Sequence, residues 1–311
     1  MKIQKKMKNN FFFLILADNN AASDFSDTDS VSLTDVNLGT EHGLSIYFEI
    51  GDKKYLIDTG LTSLFADNAK KLGINISEID ALFLSHGHND HCGGLETFLK
   101  LNDHAKIYAS SKILDYSYYS SSYGDRRDIS LNHLLLINNP RFQSIANSIW
   151  LTQDIALVKI DVDSYSFPKA NTLLEVVNNN SKSTDGDENF NKFYTKDKFD
   201  HEIAIVLRTK KGFVVFSPCS HNGILNILAS AERFISMTDS VPNFRAFVGG
   251  THLKDNFDSK KDILLISNTL TDKYPNMTLY SGHCTSVHIL ELFSEFMGEH
   301  FQKFYSGFSA I

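Results

Sequence analysis

The chain has 311 residues, of which 42% are hydrophobic and 22% charged. That balance excludes wholesale disorder, and the length excludes a small stapled scaffold. Thirty basic residues against 37 acidic ones give a formal charge of −7, so no nucleic-acid partner is expected. Three cysteines exclude a disulfide framework and point to a reducing, cytoplasmic setting, and no apolar run approaches the ~20 residues of a membrane span.

Phe11 to Ala17 follows Lys2, Lys5, Lys6 and Lys8. The run is short for a secretory segment and Asp18-Asn19-Asn20 follows at once, so it reads as a buried first strand. Residues 18–40 read as a polar loop. Leu44 to Glu49, the Gly51-Asp52 turn and Tyr55-Leu56-Ile57 read as a hairpin ending at Asp58-Thr59-Gly60. Thr62 or Ser63 caps a helix that carries Leu64, Phe65, Ala69 and Leu72 and stops at Gly73. Ile79 to Leu84 reads as a buried strand running into a histidine-rich loop, followed by a helix with Leu95, Phe98 and Leu99. Ile107 to Ala109 makes another strand.

Residues 112–200 differ in texture. They hold the Ser/Tyr stretch Tyr116 to Tyr123, the charged Asp125-Arg126-Arg127-Asp128, Leu131 to Ile137 and the polar tract Asn178 to Glu188. They read as an insertion or lid within a single domain spanning 1–311. Beyond it, strands at 203–208 and 213–217 form a hairpin. A helix at 224–234, strand 244–248, helix 259–270, strand 277–280, helix 286–297 and strand 301–305 follow. Strand and helix units on both sides of the insertion predict two sheets flanked by helices.

The chemistry concentrates in Ser85-His86-Gly87-His88-Asn89-Asp90-His91-Cys92. His86 and His88, separated by a glycine on a bent loop, can aim at one ion. Asp90 and His91, at the start of the next helix, can face a second. Imidazoles with a carboxylate suit zinc, and also manganese or iron.

His86-Gly87-His88-Asn89-Asp90-His91 resembles the HxHxDH signature of the metallo-β-lactamase superfamily. The resemblance implies an α/β fold, an αββα sandwich of two mixed sheets flanked by helices, with a dinuclear metal site at one sheet edge. Glu41-His42-Gly43-Leu44-Ser45, Pro218-Cys219-Ser220-His221-Asn222-Gly223-Ile224, Gly249-Gly250-Thr251-His252-Leu253 and Gly282-His283-Cys284-Thr285 narrow it. They resemble the subgroup labelled 7,8-dihydropterin-6-methyl-4-(β-D-ribofuranosyl)aminobenzene-5′-phosphate synthase, over about residues 40–110 and 200–290. Pro218 is a departure, because the subgroup commonly has glycine before Cys-Ser-His.

By position within these motifs, His221 joins His86 and His88 at the first ion, and His283 joins Asp90 and His91 at the second. No Asp or Glu occupies the turn after strand 213–217, where many members place a ligand, so Cys219 is a partial substitute or a small buried residue. Asp58 is expected to hold a ligand histidine from behind. Glu41 and His42 are candidates for the rim and His252 for substrate contact. His104, His133, His201, His288 and His300 read as structural or surface residues. Of these His201 is the most ambiguous, because it precedes a strand entering the site. Cys92, Cys219 and Cys284, each beside a proposed ligand, read as small side chains packed under the loops.

The expected activity is hydrolytic. Two divalent ions, zinc first with manganese or iron as alternatives, would hold a bridging hydroxide oriented by Asp90, the catalytic residue. The substrate class is a small phosphate ester or pterin-linked molecule. Arg126, Arg127 and Lys169 are candidate phosphate contacts, with a solvated charge network through Asp125 and Asp128 as the plainer reading. Tyr116, Tyr118, Tyr119 and Tyr123 are candidates to stack on a flat ring or to pack the lid. An iron-dependent redox enzyme, a nuclease and a non-catalytic metal-binding sensor are the rival readings. Di-iron electron-transfer members typically carry Glu where His88 stands, which weighs against the first. The sequence leaves the oligomeric state open.

Overall fold

The computed structural model describes residues 11–25, 37–179, 193–238 and 241–310. The basic residues before Phe11, most of the polar loop beyond Phe25 and the polar tract from 180 to 188 lie outside them.

Two seven-stranded sheets form the body. The first runs, in spatial order, Ser309–Ala310, Phe12–Ala17, Ser45–Ile50, Lys53–Ile57, Ala81–Phe83, Lys106–Ser110 and Phe142–Ile145. The second runs Phe301–Lys303, Thr278–Ser281, Phe244–Val248, Gly212–Phe216, Ile203–Thr209, Ile155–Lys159 and Ile149–Trp150. Both mix parallel and antiparallel pairs. The period of two explains the layering. In the first strand Phe13 and Ile15 face the second sheet, while Phe12, Leu14 and Leu16 face the helices Leu64–Leu72 and Leu95–Leu101. Every residue of Phe12–Ala17 is buried, as an interior strand with both faces covered requires. The helices Ile224–Ser236, Lys260–Lys273 and Val287–Met297 cover the outer face of the second sheet. Between the sheets Phe48 stacks on Tyr55 and Phe216, with ring centroids 4.9 and 5.6 Å apart.

Residues 112–200 divide their strands among three sheets. Phe142–Ile145 extends the first sheet, and Ile149–Trp150 with Ile155–Lys159 extends the second. Tyr116–Ser120, Arg127–Asp128, Leu174–Asn178 and Thr195–Lys196 make a separate four-stranded sheet. Its return segment touches the histidine loop: Asn89 N–H donates to the Ile129 carbonyl, and Leu131 N–H to the Gly87 carbonyl.

Parallel pairing gathers the chemistry at one edge. Lys53–Ile57 and Ala81–Phe83 run parallel, so Asp58 and the Ser85–His91 loop leave the first sheet side by side. Gly212–Phe216, Phe244–Val248 and Thr278–Ser281 also run parallel, so the turns carrying Cys219 and His221, His252, and His283 with Cys284 leave the second sheet together. Ile203–Thr209 is antiparallel to its neighbours, which brings its N-terminal approach, Asp197 to Glu202, to the same end.

Candidate metal centre

His86, His88 and His221 bring ring nitrogens within 4.8 Å of one another, and all three are buried. Their outer partners assign their tautomers. The Ser85 hydroxyl donates to Asp58 Oδ2 at 2.6 Å, so at 2.8 Å it accepts from His86 Nδ1. His86 Nε2 is thereby left as a lone pair, 3.1 Å from His88 Nδ1. His221 Nδ1 donates to Asn171 Oδ1 at 3.3 Å, and His221 Nε2 has no hydrogen-bond partner. Burial, reinforced by the neighbouring imidazoles, holds His86 and His221 well below the ordinary imidazole range, so both are neutral. Neutral, inward-facing nitrogens with no proton to share are what a divalent ion requires.

A second group lies beside it: His91, Cys219, His283 and Cys284, again with donor atoms within 4.8 Å. Asp58 Oδ2 accepts from His91 Nδ1 at 2.7 Å, and Asn19 Oδ1 accepts from His283 Nδ1 at 2.6 Å. Asp90 Oδ2 lies 3.7 Å from His91 Nε2 and 3.5 Å from His283 Nε2. Burial would raise the Asp90 carboxyl, but His91 and His283 outweigh it and hold the group well below the usual carboxylate range. The structure thus brings His86, His88, Asp90, His91, His221 and His283 into one cluster, the five histidines buried and Asp90 partly exposed.

Residues 38–164 match the family model of the metallo-beta-lactamase superfamily. The 7,8-dihydropterin-6-methyl-4-(beta-D-ribofuranosyl)-aminobenzene-5'-phosphate synthase of Methanocaldococcus jannaschii is 27% identical over 283 residues, which cover 86% of this chain and 89% of that one. Among solved structures, Tm1679, a metal-dependent hydrolase of the beta-lactamase superfamily, aligns at a TM-score of 0.73 and 25% identity, covering 97% of this chain and 99% of that one. A diphosphatase of the PhnP family shares the fold at a TM-score of 0.50 and 13% identity, covering 97% of this chain and 98% of that one. This chain is a metallo-β-lactamase-fold enzyme. The sandwich seen in the two sheets is that fold, and the fold class read from the sequence is the observed one.

Asp58 is the hub of the metallo-β-lactamase motif here. Its carboxylate accepts from Ser85 N–H, the Ser85 hydroxyl and His91, so one buried group orients both histidine sets. Glu41 faces inward to the Thr59–Thr62 turn, where it accepts from Leu61 N–H and Thr62. His42 is different: its side chain is 46% exposed, and its Nε2 is 3.5 Å from Asp90 Oδ2. Asn19 Nδ2 donates to His42 Nδ1, so the ring proton sits on Nε2, facing Asp90. His252 is buried with its ring 4.3 Å from that of His221, and burial lowers it to about 4. Cys219 lies within the donor distance of both His221 and the His91 group.

Some of the neighbourhood is not readable from motifs. Asp197 and His201 form a third group with His88: Asp197 Oδ2 accepts from His201 Nε2 at 3.1 Å and lies 3.9 Å from His88 Nε2. His201 Nδ1 accepts from Gly87 N–H. Glu202 is buried and accepts from His221 N–H and Asn222 N–H, which pins the turn carrying His221. Phe199 stacks on the His221 ring at 4.6 Å. The available signal was the dense run Asp197, Asp200, His201, Glu202 ahead of a strand. The tyrosines are mostly committed: Tyr118 packs against His88 and His201, and Tyr116 donates to Asp200. Tyr123 is exposed, beneath Arg127. Arg126 pairs with Glu175 and lies over Tyr194, and Lys169 pairs with Asp262.

Backbone geometry marks the same loops. Among the described residues six non-glycines take positive φ, and Asp58, Ser220, His252, Cys284 and Phe199 of these six border the centre. Such conformations cost of order 1–3 kcal/mol each and persist where surrounding contacts impose them. Close approach requires glycine at several positions, Gly87 and Gly250 among them. A Cβ on Gly87 would lie 2.3 Å from the Tyr118 ring, and one on Gly250 would lie 2.1 Å from the His283 carbonyl.

Proposed function

We propose that this protein is a dinuclear-metal hydrolase acting on a small phosphate ester, pterin-linked molecules included. The observation that carries the metal reading is the pair of inward-facing histidine sets whose outer nitrogens are already committed to Ser85, Asn171, Asp58 and Asn19. His86, His88 and His221 would hold one ion, and Asp90, His91 and His283 the other. The phosphate and pterin reading draws on the similarity to the pterin-linked synthase.

Ions held there, zinc for preference, would polarise a phosphoryl oxygen and lower the pKa of a coordinated water. The chain supplies the rest. Asp58 fixes ring orientation through Ser85 and His91. Asp90 stays ionised and orients the attacking water as the catalytic carboxylate. His42, the exposed imidazole at the rim, presents its Nε2 N–H beside Asp90, where it can donate a hydrogen bond to a substrate oxygen. Three free buried cysteines agree with a reducing, cytoplasmic setting.

The test is metal content of protein purified without added metal, followed by turnover of a panel of phosphate monoesters, diesters and pterin phosphates. Zinc or manganese at about two per chain, with ester cleavage lost in His86→Ala and His221→Ala, is the expected result. Iron with oxygen uptake, or no turnover with any divalent metal, would overturn it.

A further inference from the structure

The outer partners of His91 and His283 are Asp58 and Asn19, both carried by the body of the sandwich. His221 and His88 are approached from elsewhere. Asn171 Oδ1 accepts from His221 Nδ1, and Asn171 Nδ2 donates to the His221 carbonyl at 2.7 Å. Asn171 sits in the turn Lys169–Leu173, which runs straight into the small-sheet strand Leu174–Asn178. His88 turns its Nδ1 toward His86, and its Nε2 is buried with no hydrogen-bond partner among the described residues. Asp197 Oδ2 faces that nitrogen at 3.9 Å, on a side chain only 2% exposed. The protons around Asp197 can be assigned. Gly87 N–H donates to His201 Nδ1 at 3.2 Å, so the His201 ring is neutral and its proton is on Nε2. That N–H donates to Asp197 Oδ2 at 3.1 Å, and Asp197 Oδ1 accepts from Phe199 N–H at 2.7 Å. The remaining capacity of Oδ2 is turned to His88. A lone pair on His88 Nε2 would oppose the negative oxygen, so the carboxylate favours the tautomer with the proton on Nε2. That tautomer leaves Nδ1 as a lone pair beside His86.

We propose that Asp197 is a positioning residue for His88, fixing the ring tautomer that offers Nδ1 to the first ion, so that this ion's site depends on the small sheet and the second ion's does not. This rests on the two-metal reading above and adds that the two ions have different supports. At 3.9 Å the contact is longer than a hydrogen bond, and it acts as a charge that sets which ring nitrogen keeps the proton. Asp197 directly follows Thr195–Lys196, the edge strand of the small sheet, and its N–H donates to the Leu174 carbonyl at 3.3 Å. The small sheet therefore delivers the carboxylate to His88 and, through Asn171, the outer partner of His221. His201 completes the arrangement. It bridges the carboxylate to Gly87, between His86 and His88, so the histidine loop and Asp197 are held in one frame.

The experiment uses the full chain, stripped of metal and titrated with zinc against a chromophoric chelator that resolves the binding steps. In Asp197→Asn one affinity should fall about 10–100-fold, the usual effect of losing such a partner, and the other should stay. The weakened step should be the one that His221→Asn removes. Asp58→Asn, whose carboxylate serves both histidine sets, should weaken both steps. A readout on the wild type is independent of how any variant folds. Nitrogen-15 NMR of the zinc-loaded protein, labelled at histidine, should show His88 with its proton on Nε2 and the metal on Nδ1. Two unchanged affinities in Asp197→Asn, both lowered together, or a wild-type His88 bound through Nε2 would overturn the role given to Asp197 and leave the two-metal reading standing. A wild-type chain that binds no zinc would overturn both.

Discussion

Asp58 Oδ2 accepts from a serine and a histidine at once, so a single carboxylate sets the proton positions of two ligand rings. Asp58→Asn keeps the shape but turns one acceptor into a donor, and His91 must then rotate or change tautomer. Metal affinity should fall about 10–100-fold, the usual effect of losing such a partner. Competition with a chromophoric chelator measures it, and unchanged affinity would show that the rings are held by packing alone. His42 makes the opposite case. It is exposed and its ring contacts are Asn19, Asp90 and the His283 face. His42→Ala should lower kcat by about 10-fold, the effect of losing one hydrogen bond of about 1.4 kcal/mol to the reacting group, with metal content little changed. A fall in bound metal instead would place His42 among the groups that hold the ion.

The helix Lys260–Lys273 shows how a local element ties the small sheet to the body. Ser259 and Asp262 form a reciprocal cap at its start, and Asp262 also accepts from Lys169. Those hydrogen bonds, from Lys169 first and then Ser259, lower the Asp262 carboxyl to about 2. Asp262→Ala should cost about 1 kcal/mol at neutral pH, a typical value for a cap, since the ion pair is solvent-exposed and adds little. The sign follows from the lowered pKa. The contribution is complete above the unfolded value of about 3.9 and is lost as pH falls toward 2. Urea midpoints of the two proteins should therefore converge below about pH 4, and a constant gap would refute the assignment. Elements of this kind were legible because their signals are local. The hairpin at Ser45–Ile57, the helix stop at Gly73 and the histidine loop all lie within a few residues of the pattern that specifies them. The five-residue strand Ile155–Lys159 is a continuous apolar run, and such a run has no period to say which sheet it joins. Ser309–Ala310 is too short to carry a pattern at all. Asp197 meets His88, and Cys284 meets Cys219, only because distant strands end at one edge.

At the scale of the molecule, the centre is a clasp between the sheets. His86, His88 and His91 leave the first sheet, whereas His221 and His283 leave the second. Away from that edge the sheets hold together through the aromatic seam, and Phe48→Ala or Phe216→Ala should each cost about 3–5 kcal/mol by opening a cavity there. At the edge the contact is polar: buried imidazoles and thiols face one another across the gap. An ion bound by both sheets stabilises the folded state by its binding free energy, which is about 4 kcal/mol at a thousand times the dissociation constant. Chelation should therefore lower Tm by on the order of 10 °C for a chain of this size. It should also loosen the loops at residues 85–91 and 218–222 before the seam, visible as faster amide exchange there. Reloading with zinc should reverse both changes. If chelation leaves Tm and exchange unchanged, the sheets are clasped by the protein alone and the histidine cluster is not a metal centre.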